Sequence, residues 1–411
     1  MEPNYKNGVL HLENIDLIQL AKKEKTPLYV YSKKSIIQSI NEYFNNYQKK
    51  LLLCFAQKAN SNINILKLMA SRGVGCDIVS GGELYRALTA GMDPRKIVFS
   101  GVCKTKEEIL YALKNNILMI NAESTQELEA INEVAKGYYK KNTQKAPVSL
   151  RINPDINPKT HAYISTGLKK HKFGITEDKA KLIIQSLKSY SYIKLIGISS
   201  HIGSQILDLN TFSDAIDKIL GFIKDTQLSI SFLNFGGGLG IAYNNETVPT
   251  IKSYMQLLSE KIKDRDVTLI LEPGRRIVGN AGVLLGRVHY IKENENKKFY
   301  LSDVGMNDLV RPSMYNAYHR VLPCAQTSIT EKVDLVGPIC ESGDTVFVDR
   351  EINRVQKNDY FALLSAGAYG FSMSSNYNSR PRASEILVDD NTYTVIRKRE
   401  TYKDLIKGEK P

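Results

Sequence analysis

No uninterrupted apolar run in this sequence approaches the roughly 18 residues that span a bilayer, so no membrane helix is expected. The stretch from Met1 to Asn7 is polar and lacks the charged start and apolar core of a secretory signal, which predicts a cytoplasmic protein. The five cysteines (Cys54, Cys76, Cys103, Cys324 and Cys340) are an odd number without CxxC spacing. Neither a disulfide framework nor a zinc site is indicated, and most should be core thiols, Cys340 excepted. Biased or low-complexity tracts are also missing, and 42% hydrophobic residues over 411 positions suffice for a two-domain globular chain with a sizeable core.

Acidic residues are the scarcer charge, leaving a formal net charge of +13. The excess lysines are spread over predicted helix faces between Lys179 and Lys188, Lys218 and Lys224, and Lys252 and Lys263. A nucleic-acid stripe would be denser and carry stacking aromatics on the same face, so no nucleic-acid partner is expected. A positive field does suit a small acidic substrate.

What the chain has is rhythm. Eight short apolar or β-branched runs alternate with stretches of helical period: Leu51 to Gln57, Val74 to Val79, Ile97 to Ser100, Leu118 to Asn121, Val148 to Asn153, Leu195 to Ser200, Ser231 to Phe235, and Thr268 to Glu272. Two spacers open with capping-box signatures, Thr105 with Glu108 and Ser124 with Glu127. Eight strand–helix units predict a (β/α)8 TIM-type barrel over residues 36–276, with a doubly wound open sheet as the alternative. After Ile277 the pattern becomes strands without regular helices: Val283 to Ile291, Lys298 to Asp303, Glu331 to Val336, Arg354 to Leu364 and Thr392 to Arg399. Residues 277–411, with 1–35 and the strand ending at Ser32, are therefore expected to form a mostly antiparallel β-barrel or sandwich domain.

Barrel active sites lie at the carboxyl ends of the strands. Reading those ends collects Lys58, Asp77, Arg151, His201 and Glu272. After the seventh run comes Gly236-Gly237-Gly238-Leu239-Gly240, a backbone nearly bare of side chains that can wrap an anion, without the lysine and hydroxyl of a P-loop. A lysine at the mouth of an apolar core needs an anion or a carbonyl to condense with, which makes Lys58 a Schiff-base candidate. An aldehyde for the lysine, a monophosphate for the glycines, and an aromatic ring for His201 and Glu272 together describe pyridoxal phosphate. Ser204 would add a hydroxyl to the phosphate.

Six ordered segments sharpen this: Cys54-Phe55-Ala56-Gln57-Lys58-Ala59-Asn60, His201-Ile202-Gly203-Ser204-Gln205, Gly236 to Gly240, Glu272-Pro273-Gly274-Arg275, Cys340-Glu341-Ser342-Gly343-Asp344 and Gly367-Ala368-Tyr369. Over roughly residues 25–385 they resemble the motif set of the fold-type III pyridoxal-phosphate-dependent decarboxylases, nearest the branch that acts on meso-diaminopimelate. The resemblance implies a barrel plus β domain and a homodimer whose active sites are completed by the partner chain. It implies Lys58 and Cys340 as catalytic residues, Cys340 being the proton donor. The cofactor would be held by Lys58, Asp77, Arg151, His201, Ser204, Gly236, Gly237, Gly238, Glu272, Gly274, Arg275 and Tyr369. Substrate would meet Arg275, Arg311, Tyr315, Glu341 and Tyr369, because a far end bearing both an amine and a carboxylate needs an acid and fixed cations.

Cys103 and Arg276 depart from the family's pattern. The rival readings are a decarboxylase of ornithine, arginine or carboxynorspermidine, and a non-catalytic cofactor-binding regulator; the latter should have lost the lysine or the thiol, and both are present. The segment 156–172, with Pro158, Gly167 and four lysines, is expected to be a loop able to cover the site.

Overall fold

The computed structural model describes residues 3–139, 143–156, 171–295 and 297–410. Most of the anticipated covering loop, residues 157–170, lies outside them. The chain divides into two compact units, one of residues 40–240 and 247–274, the other of residues 1–39, 241–246 and 275–411.

The first unit is a closed barrel of eight parallel strands: β1 (Leu51–Ala56), β2 (Gly75–Ile78), β3 (Ile97–Phe99), β4 (Met119–Ala122), β5 (Ala146–Arg151), β6 (Ile193–Ser199), β7 (Phe232–Asn234) and β8 (Thr268–Leu271). The strands pair in sequence order, and β8 closes on β1 through Leu269–Leu51, Ile270–Leu52 and Leu271–Leu53. The expected (β/α)8 barrel is what forms. Among the described residues, seven helices alternate with the strands, from Ile63–Ser71 to Ile251–Lys261. Buried Cys54, Val98, Met119 and Ile270 pack together, with Leu52, Leu118, Ile196 and Phe232 against them. This filling makes the barrel a core rather than a pore.

The Thr105 capping box is complete, with the hydroxyl taking the Glu108 amide and the Glu108 carboxylate taking the Thr105 amide. The Ser124 box is not. Ser124 does cap the Glu127 amide at 3.1 Å, but the Glu127 carboxylate turns to the Glu123 amide at 2.8 Å and the Lys104 ammonium at 2.5 Å. A buried ammonium outcompetes a neutral amide for that oxygen.

The second unit is a mostly antiparallel sheet. Its spine is the 13-residue strand Gly282–Asn294, flanked by Lys297–Ser302 and Leu28–Ser32. Two pairings are parallel, Lys297–Ser302 with Thr330–Val336 and Leu28–Ser32 with Ser384–Asp389. Strands Val321–Pro323, Thr345–Asn353 and Ser384–Asp389 were not anticipated. The expected strand from Arg354 to Leu364 shrinks to Tyr360–Leu363, because the turn through Asp359 precedes it. One face buries Leu10, Leu12, Leu28, Val30, Val283, Leu285, Ile386 and Val388 in a single cluster. All five cysteines are free; Cys54, Cys76 and Cys324 are buried core thiols as expected, whereas Cys103 and Cys340 are exposed. Among the described residues no helix is long and apolar enough to cross a membrane.

Candidate active site

In the barrel unit, β1 ends at Ala56 and the chain turns at once into a 3-10 turn, Gln57–Ala59, that carries Lys58. The Lys58 Nζ lies 2.7 Å from Asp77 Oδ2. Asp77 is fully buried in β2, and among the described residues its other oxygen, Oδ1, has no hydrogen-bond partner. Glu272 follows β8 and accepts from Asn234 Nδ2 at 2.5 Å. Burial pushes the Glu272 carboxyl up to about 8; the Asp77 charge pushes the same way, and the Lys58 ammonium opposes them.

His201 follows β6. Its Nδ1 accepts from the Gly237 amide at 3.3 Å, which leaves the proton on Nε2. Burial, then the Arg151 and Lys58 charges, hold the imidazole well below its ordinary range, so it is neutral. Lys58, Asn121, Arg151, Ser200, His201 and Glu272 line one cavity of about 400 Å³, with Cys103 on its wall.

The glycine tract packs too tightly for side chains. A Cβ on Gly237 would stand 2.3 Å from the Glu272 carbonyl oxygen, and one on Gly236, where φ is +65°, 2.7 Å from His201 Nδ1. Three of its amides are already engaged, Gly236 with Asn234 Oδ1 at 2.8 Å, Gly237 with His201, and Gly240 with the Ile206 carbonyl at 3.0 Å. Ser204 is half-buried in the segment beside Gly203, whose carbonyl oxygen a Cβ on Gly238 would meet at 2.7 Å. Gly274 sits against Ala56 and Ala59 on either side of Lys58.

These residues fit pyridoxal phosphate on their own chemistry. The cavity has an amine on its wall, a protonatable carboxyl, a neutral imidazole, and three buried polar atoms without partners among the described residues: Asn121 Oδ1, Ser199 Oγ and Ser200 Oγ. Unpaired buried hydroxyls and amide oxygens are costly unless a ligand or water meets them.

The β unit holds the other anticipated residues. Arg275 opens the helix Arg275–Val278, donates from NH1 to Tyr243 Oη at 2.5 Å, and lies 4.8 Å from the Tyr369 ring centre. Arg311 opens the helix Arg311–Tyr315 and stacks 4.6 Å from the Tyr243 ring. Both guanidinium groups are buried. Arg311 NH1 meets His319 Nε2 at 2.8 Å, while His319 Nδ1 meets the Leu364 carbonyl at 2.8 Å. His319 is therefore neutral, protonated on Nδ1 and accepting on Nε2; burial and then Arg311 push its pKa down to about 3. Tyr315 and Tyr369 are half-buried.

Cys340 and Glu341 sit on an exposed turn. Asp344 braces it, accepting from the Ile339 and Met306 amides at 2.6 Å each, and Ser313 Oγ ties it to the Arg311 helix through the Gly343 carbonyl at 2.8 Å. Glu341 hydrogen bonds with the Tyr377 hydroxyl.

Residues 33–279 match the pyridoxal binding domain of the pyridoxal-dependent decarboxylases. The chain is 46% identical to a diaminopimelate decarboxylase of Aquifex aeolicus, over 98% of this chain and 96% of that one, and 44% identical to one from Haemophilus influenzae, over 98% and 97%. The crystal structure of diaminopimelate decarboxylase from M. jannaschii in complex with L-lysine superposes with a TM-score of 0.93 at 41% identity, covering 100% of this chain and 98% of that one. The chain belongs to the diaminopimelate decarboxylase family. It is a pyridoxal-phosphate-dependent carboxy-lyase, and the similarity extends over 98% of the chain.

Reading strand ends missed several residues that the structure places in these clusters. Asn234, the last residue of β7, bridges Glu272 and the glycine tract, and Asn121 lies on the cavity wall. The same strand-end rule applied to β4 and β7 would have found both. Tyr243 and His319 had no such signal, since neither ends a barrel strand; each acts by touching a buried arginine, Arg275 and Arg311 respectively.

Proposed function

We propose that the chain decarboxylates meso-2,6-diaminopimelate to L-lysine and carbon dioxide, the last step of lysine biosynthesis, as a cytoplasmic homodimer with shared active sites. Besides the family, one observation favours this substrate. Arg311 is buried with a neutral histidine and tyrosine rings around it, and among the described residues it forms no ion pair, so its charge is available to a substrate carboxylate. Ornithine has no second carboxylate to offer it.

Pyridoxal phosphate supplies an aldehyde that captures the substrate amine and a ring that accepts the electron pair left when carbon dioxide departs. Lys58 would hold the cofactor through its aldehyde, and Asp77 Oδ2, 2.7 Å from Nζ, orients the amine. Glu272 would hold the cofactor's ring nitrogen, its raised proton affinity suiting it to share a proton there. His201, fixed as the neutral Nε2–H tautomer, presents a flat uncharged face to the ring. Arg151, Ser204, Gly236, Gly237, Gly238, Gly274 and Tyr369 hold the cofactor and its phosphate. Arg275 and Arg311 bind the distal carboxylate of the substrate, with Tyr315 and Tyr369 adding hydroxyl contacts. Glu341 takes the distal ammonium, and Cys340, from the partner chain, delivers a proton to the α-carbon. Both residues are exposed within one chain, as groups that serve a partner must be.

The deciding experiment measures carbon dioxide release from meso-diaminopimelate, ornithine, arginine and carboxynorspermidine side by side. Turnover of meso-diaminopimelate at least tenfold above the others is expected. Equal or faster turnover of ornithine would overturn the assignment.

A further inference from the structure

Four charges outside the assigned roles, or only partly inside them, meet behind the cavity wall. Lys104 pairs with Glu127 at 2.5 Å and Arg151 with Glu123 at 2.7 Å; none of the four side chains is more than 9% exposed. The pairs are linked, because the Glu123 amide donates to Glu127 Oε2 at 2.8 Å. Gly101 closes the ring: its N–H donates to Glu123 Oε1 at 2.9 Å, and its carbonyl accepts from Lys104 Nζ at 2.6 Å. Lys104 also reaches the Asn121 carbonyl at 2.8 Å, and Glu123 Oε2 accepts from the Gly174 amide at 3.1 Å.

A single carboxylate thus gathers three chain segments, the turn after β3 (Gly101), the end of β5 (Arg151) and the segment that begins β5's return (Gly174). Gly101, Asn121, Arg151 and Phe173 all line the cavity. The Arg151 guanidinium lies over the Phe173 ring, 5.1 Å from its centre, so the residue beside Gly174 is also fixed by this arrangement. Two buried positive and two buried negative charges contribute little net stability, since desolvation offsets their attraction. What such a cluster does supply is a defined direction for each group.

Building on the reading of this cavity as the pyridoxal phosphate site, we propose that Glu123 is the positioning residue of the cofactor cavity, acting through Arg151 and holding the Gly101 and Gly174 walls at their spacing. Neutralising Glu123 leaves Arg151 a buried cation without its partner. Without Glu123 Oε1 at 2.7 Å the guanidinium is no longer fixed at its place on the cavity wall. One substitution then disturbs the cavity wall at Arg151, at Gly101 and at the Gly174 segment.

The test is a double-substitution cycle on cofactor affinity, with Glu123→Gln, Arg151→Met and the pair, titrating cofactor-stripped protein with pyridoxal phosphate and following visible absorbance. Each single change is expected to raise the dissociation constant about 10–100-fold, the range for one charged hydrogen bond. The pair should be no weaker than the worse single variant, because Glu123 works through Arg151. Glu123→Asp, which keeps the charge, should recover part of the affinity, and its urea midpoint guards against a merely unfolded variant. Additive losses in the pair, or a Glu123→Gln constant within about twofold of wild type, overturn the inference. Failure of the cavity reading itself looks different, because wild-type protein would then bind no pyridoxal phosphate at all.

Discussion

Asn234 donates from Nδ2 to Glu272 Oε1 at 2.5 Å while its Oδ1 takes the Gly236 amide at 2.8 Å, so one side chain couples the buried carboxyl to the glycine tract. The carboxyl it holds has a proton affinity raised from the ordinary 4.5 to about 8, chiefly by burial. The folded protein therefore keeps a proton that the unfolded chain releases between those values. The stability linked to Glu272 is complete below the lower value and is lost as pH rises through the upper one. Cofactor-free protein should melt at a lower temperature as pH is raised from about 5 to about 9, and Glu272→Gln should flatten that slope. Thermal melts across the pH range check this; equal slopes in the two proteins would show that Glu272 is ionised throughout. The cofactor-loaded protein should lose the dependence if a ring nitrogen shares the proton.

The close approach of Gly237 to Glu272 gives a second expectation. A methyl group placed 2.3 Å from the Glu272 carbonyl oxygen forces backbone to move, not the end of a flexible side chain. Gly237→Ala should cost about 1–3 kcal/mol, the usual range for overpacking a tight interior. Urea unfolding reads the loss, and the visible absorbance of the purified protein should fall with it. An unchanged midpoint would mean that the strand ends are looser than the structure has them.

Much of this was legible in the sequence, and the exceptions have physical causes. The barrel strands announce themselves because most of their residues are buried and read as short, largely apolar runs. The strand Thr345–Asn353 does not, because among the described residues it pairs only with Thr330–Val336, and it carries exposed Asp349 and Glu351 with half-buried Arg350 between them. Ser384–Asp389 hides for a different reason. Its Glu385 is fully buried, held by Arg397 at 2.6 Å and the Tyr31 hydroxyl at 2.8 Å, and a charge inside a strand breaks the apolar signature. In the site, Lys58, Asp77, His201 and Glu272 were readable because each ends a strand. Glu127 was misread as a capping partner because its true partner, Lys104, is 23 residues away.

Arg311 carries the substrate argument, and its geometry predicts how a conservative change behaves. Lysine keeps the charge but not the planar fork, and it cannot both meet His319 Nε2 and grip a carboxylate with two parallel bonds. Arg311→Lys should raise KM for meso-diaminopimelate about 10–100-fold, the worth of one charged hydrogen bond, with a smaller change in kcat. The cofactor absorbance should stay as in wild type. Steady-state kinetics beside a spectrum separate these outcomes, and a KM within twofold of wild type would remove Arg311 from the substrate site.

Cys340 and Glu341 are exposed on a braced turn, which fits groups that act on a partner's substrate, and a mixing experiment tests that arrangement directly. Lys58→Ala should fall to background activity with no visible cofactor band. Cys340→Ala should keep the band and lose about 10²–10⁴-fold in kcat, the span for a missing proton donor. If each site takes its lysine from one chain and its thiol from the other, mixing the two variants and allowing subunits to exchange creates heterodimers with one site intact and one doubly deficient. Half of the dimers in an equal mixture are mixed, so activity should recover to about a quarter of wild type for a two-fold assembly with shared sites. Recovery requires exchange, so the mixture should gain activity over time while the separate variants do not. A mixture that stays at the sum of its components after exchange would place the lysine and the thiol of each site on the same chain.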